Sequence, residues 1–437
     1  MDPLFLGGQS VNSSSVGESR LARIPRWLRA CGVLFLLSIW AAALGYPMLM
    51  RALGGAWHAA PADWVDDLSP RTQEVLERAI EDLDPDRLVD VHAHIAGIGS
   101  DGSGCWVHPR MRSWTSPLEY LRFQLYLSAS GVDGERHADR EFVARLRELI
   151  AGDVAGGRIC LLAFDHAYRE DGTLDLENSA FYVPNQYIWD VAAIDRERLI
   201  PVISVHPYRE DALEELELWA GVGVRLVKWL PNAMGIDPAS ERCDAFYDKL
   251  RELDMTLLSH TGIELAVHAE DRQEFGNPLR LRRALDHGVR VIAAHCATLG
   301  ENLDLDAGGN VQVSSFELFM RMMDEARYEG LLFGELSAVT LANRSKEVLQ
   351  ELIERKDLHP RLVNGSDYPL PAMNAVIHLG PFVSAGLLSE EEEDALVELY
   401  EAHPLAFDLA LKRLLRSPRT GEGFDPEAFL VPASLGL

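Results

Sequence analysis

Residues 87–94, Arg87-Leu88-Val89-Asp90-Val91-His92-Ala93-His94, run from a charged residue through an apolar, β-branched stretch into two histidines one residue apart. A spacing of two puts both imidazoles on one face of a strand. Both rings can then reach one cation. Imidazole nitrogen suits zinc and similar divalent ions, and a nearby carboxylate can orient a ring through its second nitrogen. Packing or surface histidines produce the same spacing, so the meaning of the pair depends on what the rest of the chain does.

The rest of the chain repeats the form. Short apolar runs follow at Arg158 to His166, Leu199 to Pro207, Val224 to Leu230, Met255 to Gly262, Val289 to Cys296, Leu331 to Val339 and Leu362 to Tyr368, which with the first makes eight. Helical stretches with charged faces separate them, at Asp139 to Ile150, Asn185 to Ile194, Glu210 to Ala220, Cys243 to Leu253, Asn277 to His287, Phe316 to Ala326 and Ser345 to Lys356. Strands alternating with helices are the signature of βα units and a parallel sheet. Asn277-Pro278 reads as a capped helix start, and Ser389-Glu390-Glu391-Glu392 as a capping box opening a last helix.

Three later runs end as the first does. His260 closes Leu257-Leu258-Ser259-His260, His295 closes Val291-Ile292-Ala293-Ala294-His295, and Asp367 follows Leu362-Val363-Asn364-Gly365-Ser366. Each alone has an ordinary reading, as a hydrogen-bonded core histidine or a turn-forming aspartate. Lys228, near the end of the fourth run, is expensive to bury unless paired, neutral or chemically altered; a salt bridge at the sheet's rim is its ordinary reading. Trp229 beside it should point the opposite way. An open doubly wound sheet would scatter these positions. A closed barrel gathers the ends of the first, fourth, fifth, sixth and eighth strands. The expected fold is therefore α/β, a (β/α)8 TIM barrel, with a long insertion from Ala96 to Gly157 after the first strand forming either a lid over the mouth or a remote packing element. His166 and His206 end the second and third strands, and Arg169 and Glu335 are placed near the mouth; all four are expected to contact substrate or to support those that do.

Composition narrows the partners. With 68 acidic against 41 basic residues the formal charge is -27, which repels nucleic acid and anionic surfaces. A small-molecule substrate is the expectation. Neither a Gly-rich phosphate loop nor a dinucleotide fingerprint follows any strand. The five cysteines lie at scattered positions without a C-x-x-C pair, so neither a disulfide framework nor a thiolate zinc site is expected.

The amino terminus reads differently. Residues 1–29 look disordered and carry Arg20, Arg23, Arg26 and Arg29. Ala30 to Met50 is apolar but for Ser38, long enough to cross ~30 Å of hydrocarbon as a helix. The basic flank predicts a signal anchor with the catalytic part outside, periplasmic or extracellular, and a cleaved signal peptide is the rival. Residues 51–84 read as a linker with a short helix around Arg71 to Asp82, and residues 85–437 as the catalytic domain.

The order H-x-H, Lys, His, His, Asp along eight βα units resembles the amidohydrolase superfamily. Val227-Lys228-Trp229-Leu230-Pro231-Asn232-Ala233, Ala294-His295-Cys296-Ala297 and Gly365-Ser366-Asp367-Tyr368-Pro369 are similar to its amidohydrolase-related branch, and the likeness spans about residues 85 to 415. The resemblance implies one or two divalent ions, zinc foremost, with manganese, iron or cobalt as alternatives. His92, His94 and Asp367 would hold the first. His260 and His295 would hold a second, with a carboxylated Lys228 bridging both; in one-metal relatives the position of His260 joins the first ion and that of His295 serves acid–base chemistry. The expected activity is hydrolysis of an amide, ester or lactone, with Asp367 moving the proton of an activated water and His295 or Lys228 polarising the bond attacked. Non-oxidative decarboxylation, found in the same branch, is the alternative. A catalytically dead barrel acting as a membrane-tethered scaffold is disfavoured by the complete set of positions.

Overall fold

Each of the eight expected runs forms a strand in the computed structural model, which describes residues 45–55 and 64–437. They are β1 (Val89–His94), β2 (Arg158–Leu162), β3 (Leu199–Val202), β4 (Leu226–Trp229), β5 (Thr256–Ser259), β6 (Val291–Ala293), β7 (Leu332–Glu335) and β8 (Leu362–Val363). β1, β2 and β3 pair in parallel, as do β4 to β8. Two seams close the ring. Lys228 N donates to Ile203 O at 2.7 Å between β3 and β4, and Val91 N donates to Asn364 O at 3.0 Å between β8 and β1. The eight parallel strands therefore surround one axis in chain order, as a TIM barrel does.

Side chains that alternate inward fill the axis. Val89, Val91, Cys160, Leu162, Val202, Leu226, Leu258, Ile292, Phe333 and Val363 form one buried cluster, and Val431 and Leu435 from the carboxyl-terminal segment join it. That segment is hooked to the start of β1 by Val431 N donating to Arg87 O at 2.8 Å, so the chain's end floors the barrel. The outward residues Leu161, Val227, Trp229, Leu257 and Val291 pack against the helices. Trp229 thus faces away from Lys228, as alternation requires.

β1 breaks its own alternation. Val89 and Val91 point inward while Ala93 joins the outer cluster, and the register against β2 shifts between Asp90 and Ala93. One extra residue there is a β-bulge, which bends the strand and re-aims the side chains beyond it. Strict alternation after Val89 and Val91 would have sent His92 and His94 outward; the bulge turns them in. Asp90 pins the irregular stretch by accepting from His92 N at 3.0 Å and from Ser366 N at 2.9 Å.

Helices fall between the strands at Asn185–Ala192, Ala212–Gly221, Asp244–Glu252, Ser315–Met323 and Lys346–Glu354. The expected helix at Asn277 is instead a 3-10 turn, Pro278–Leu281, running into a short α-helix, Arg282–Asp286, though Asn277 does cap it by accepting from Leu279 N at 3.0 Å. The capping box at Ser389 forms and opens Glu390–Ala402. The early helix, Pro70–Ile80, packs on Glu390–Ala402 and Pro404–Leu414, with Ser69 Oγ donating to Glu398 at 2.8 Å. It therefore belongs to the compact unit Met50–Leu437.

The insertion after β1 holds the helices Pro117–Ala129 and Ala138–Ala151 and a short strand, Trp106–Val107, that pairs antiparallel with Phe181–Tyr182 from the loop after β2. The segment expected to be disordered, residues 1–29, and most of the expected anchor, Ala30 to Met50, lie outside the described residues. Among the described residues no helix is long and apolar enough to cross a membrane. Cys31 also lies outside them; Cys105, Cys160, Cys243 and Cys296 are buried free thiols.

Candidate metal centre

The polar residues at the carboxyl ends of the strands converge on one point, although most stand just past the last ladder hydrogen bond. His92 and His94 end β1 and Lys228 lies within β4, whereas His260 follows β5, and His295 and Asp367 lie two and four residues beyond β6 and β8. His295 and Asp367 have left-handed backbones, with φ of 59° and 58°. That conformation ends a ladder and is uncommon outside glycine, and it concentrates at functional sites. The backbone of Asp367 is fixed by its N–H, which donates to His92 O at 2.6 Å. From behind, Lys412 Nζ donates to Gly365 O at 2.8 Å and is paired with Asp408 at 2.6 Å.

His92 is the hub. Its Nε2 lies 3.3 Å from His94 Nε2, 3.0 Å from Lys228 Nζ and 3.5 Å from Asp367 Oδ1, and His94 Nε2 lies 3.2 Å from the same carboxylate oxygen. The other nitrogen of His92 meets Glu335 Oε2 at 3.0 Å. A carboxylate at Nδ1 places the ring proton there and leaves Nε2 with its lone pair aimed at the cluster. Nitrogen and carboxylate lone pairs directed at one another repel unless a cation lies among them, so His92, His94 and Asp367 fit a divalent ion by the chemistry of their donors.

His295 stacks on His92 with ring centroids 5.0 Å apart and meets His260 edge-on at 5.1 Å. Its Nδ1 is held by Ser337 Oγ at 2.7 Å, leaving Nε2 to address the site. His260 Nε2 is buried without a hydrogen-bond partner, which an acceptor waiting for a cation would explain. Burial, with Lys228 close by, holds His92 and His260 well below the usual histidine range; for His295, burial and the neighbouring His260 do the same. All three rings are therefore held uncharged, the form that could donate to a cation. Lys228 is fully buried, and burial lowers its ammonium from the ordinary lysine value. The salt bridge at the rim is not its arrangement.

The four softer candidates are not in the cavity wall. Glu335 is fully buried, at 0% exposure, and accepts from His92 Nδ1, from His295 N at 3.1 Å, and from both Ser337 N and Ser337 Oγ. It orients the His92 ring and holds the His295 backbone and Ser337, rather than facing the mouth. The His206 ring turns aside to Met234 O at 3.0 Å while its Nδ1 accepts from Tyr208 N. His166 stacks on Tyr182 with centroids 4.2 Å apart. Arg169 is half exposed and bound to Asp175 at 3.0 Å.

Three further residues lie near the centre that the sequence pattern does not single out. Glu264, in the loop after β5, is buried 3.5 Å from His260 Nε2, and burial pushes its carboxyl up to about 7. Tyr126 reaches the cavity from the insertion with its hydroxyl donated to Ala266 O at 2.9 Å. Arg344, in the loop after β7, donates from Nε to Ala338 O at 3.3 Å, and its Nη1 is buried without a partner. Only Glu264 could have been suspected, as a carboxylate four residues after a strand-end histidine.

Above the cluster lies a cavity of about 140 Å³, with His92, His94, His260, His295, Asp367 and Glu264 among its lining residues. Phe123 and Phe142, from the two insertion helices, line it too. The insertion therefore walls the mouth and is not a remote packing element.

Residues 89–392 match the family model described as Amidohydrolase. No curated protein matches the chain. Among solved structures it is similar to an uncharacterised TIM-barrel protein from Bordetella bronchiseptica, at 14% identity over 72% of this chain and 99% of that one, with a TM-score of 0.44. It is also similar to a candidate 2-pyrone-4,6-dicarboxylic acid hydrolase from Pseudomonas putida, at 16% identity over 74% and 98% of the chains and a TM-score of 0.38. A third is 5-carboxyvanillate decarboxylase from Sphingomonas paucimobilis, at 12% identity over 80% and 97%, with a TM-score of 0.40.

Proposed function

The chain belongs to the amidohydrolase family, and on that premise we propose that it is a metal-dependent hydrolase of an amide, ester or lactone bond in a small molecule. The observation that supports this most is the convergence of His92 Nε2, His94 Nε2 and Asp367 Oδ1 within 3.5 Å at the floor of a cavity. These three would hold a divalent ion, zinc foremost. His260 and His295 would hold a second if Lys228 is carboxylated, and its lowered pKa favours the neutral amine that carboxylation needs.

A divalent ion bound there supplies a Lewis acid and makes water acidic enough to ionise near neutral pH. The residues do the rest. Asp367, whose side chain keeps 10% exposure beside the cavity, takes a proton at its carboxylate and returns it to the leaving group. His295, oriented by Ser337, addresses the oxygen of the bond under attack through Nε2. Glu335 fixes the His92 ring directly and the His295 ring through Ser337, so that no ring must reorient as charge develops. The buried apolar wall excludes bulk water and strengthens each of these interactions.

Dialysis against a strong chelator is expected to abolish hydrolysis of a panel of esters, amides and lactones, and added zinc to restore it. Hydrolysis that persists after metal analysis reads zero would end this proposal. A non-oxidative decarboxylase would use the same ligands; release of carbon dioxide from aromatic acids, without ester or amide turnover, selects that reading. We also propose that Ala30 to Met50 anchors the protein with its barrel on the periplasmic or extracellular side, on the strength of that segment's length and basic flank. The full chain should stay with membranes through an alkaline wash while residues 51–437 do not, and equal release of both would remove the anchor.

A further inference from the structure

We infer that the substrate presents to this centre an uncharged, apolar group the size of one six-membered ring or a short branched chain. The identity of the reacting carbonyl rests on the hydrolase reading above; the shape and charge of the group beside it do not.

The cavity of about 140 Å³ sets the size. An apolar protein cavity of roughly 150 Å³ stays dry and takes up benzene, so a single ring fills this one. Much of its wall is hydrocarbon, including Met111, Phe123, Phe142, Phe164 and Phe181. These come from the insertion after β1 and from the segment after β2 that pairs with it.

The polar groups in that wall are already engaged. Tyr126 donates its hydroxyl to Ala266 O at 2.9 Å, and Ser130 Oγ donates to Tyr126 O at 2.7 Å. A hydroxyl or carboxylate on the far side of the substrate would find no partner there, and an unpaired buried polar group is strongly disfavoured. Neither lysine nor arginine is among the described residues lining the cavity, whereas Asp367 and Glu264 are. Lys228 Nζ lies 3.0 Å from His92 Nε2, on the histidine side, and neither it nor Arg344 is among the lining residues. A distal anion would thus meet hydrocarbon or like charge, after approaching a chain of net charge -27.

The test uses two ketones that cannot be hydrolysed, acetophenone and 4-acetylbenzoate, titrated calorimetrically into the zinc-loaded protein. They share the carbonyl and the ring and differ in one distal carboxylate. Acetophenone should bind at least about tenfold more tightly. Ala138→Phe, which fills the cavity from the helix Ala138–Ala151, should weaken acetophenone by about tenfold at unchanged zinc content; Met111→Trp, on the 3-10 turn before Pro117–Ala129, serves if the first variant does not fold. Binding of 4-acetylbenzoate as tight as that of acetophenone overturns the inference, as does acetophenone binding that ignores both filled variants. Turnover of the panel of esters, amides and lactones is measured separately. Ketone preference without turnover of any of them upholds this inference and defeats the hydrolase reading; turnover without ketone preference does the reverse.

Discussion

Asp367→Asn is expected to lower turnover by about a thousandfold or more, while the melting temperature moves by only a few degrees. The substitution is nearly isosteric, and asparagine tolerates the left-handed backbone, φ 58°, that this position adopts. The loop stays anchored because Asp367 N donates to His92 O at 2.6 Å and Leu370 N to Asp367 O at 2.9 Å, neither of which involves the side chain. What is lost is the negative charge 3.2 Å from His94 Nε2 and 3.5 Å from His92 Nε2, and with it, on the proposed mechanism, both a metal donor and the proton acceptor. Zinc content and turnover should therefore fall together. Turnover within about fivefold of the native protein would remove Asp367 from the centre.

Glu335→Ala is expected to cost more in stability than any change at the cavity itself. The carboxylate is the acceptor for four donors, His92 Nδ1, His295 N, Ser337 N and Ser337 Oγ, in a place with 0% exposure. Each donor left unsatisfied in such a place costs about 1–3 kcal/mol. A total loss above about 3 kcal/mol follows even if the serine hydroxyl finds another acceptor. Glu335→Gln separates the contributions. It fills the same volume, but its amide nitrogen must face at least one of those N–H groups, so part of the loss remains. Freed of its carboxylate, the His92 ring can choose either tautomer, and zinc affinity should drop about 10–100-fold. Guanidinium midpoints and competitive zinc titration measure the two effects. A glutamine variant that matches the native protein in both would show that Glu335 merely fills space.

The contrast between Glu335 and the histidines shows how far the sequence could be read. Leu332-Phe333-Gly334-Glu335 ends a strand with a polar residue, just as Ala93-His94 does, and that pattern marks a strand end near the centre. It does not say whether the side chain turns up into the cavity or sideways under the rings. The answer depends on neighbouring strands, because the donors that claim Glu335 come from β1 and the loops after β6 and β7. His206 poses the same question: it too ends an apolar run, and there the carbonyl of Met234 captures the ring. The eight strands were legible because each is a short apolar run bounded by charged helical sequence, and period and length suffice to find them. Glu264 and Arg344 sit in loops, where no period exists, and only the closed ring brings them near His260.

The bulge in β1 bears on any attempt to move this centre to another barrel. Below it, Val89 and Val91 keep step with the packed axis; above it, His92 and His94 obey a different phase. A graft that copies the two histidines at their spacing of two onto a regular strand would aim them among the surrounding helices whenever the aliphatic residues beneath were kept. The surplus residue, and the Asp90 carboxylate that ties it to Ser366, must be transplanted with them.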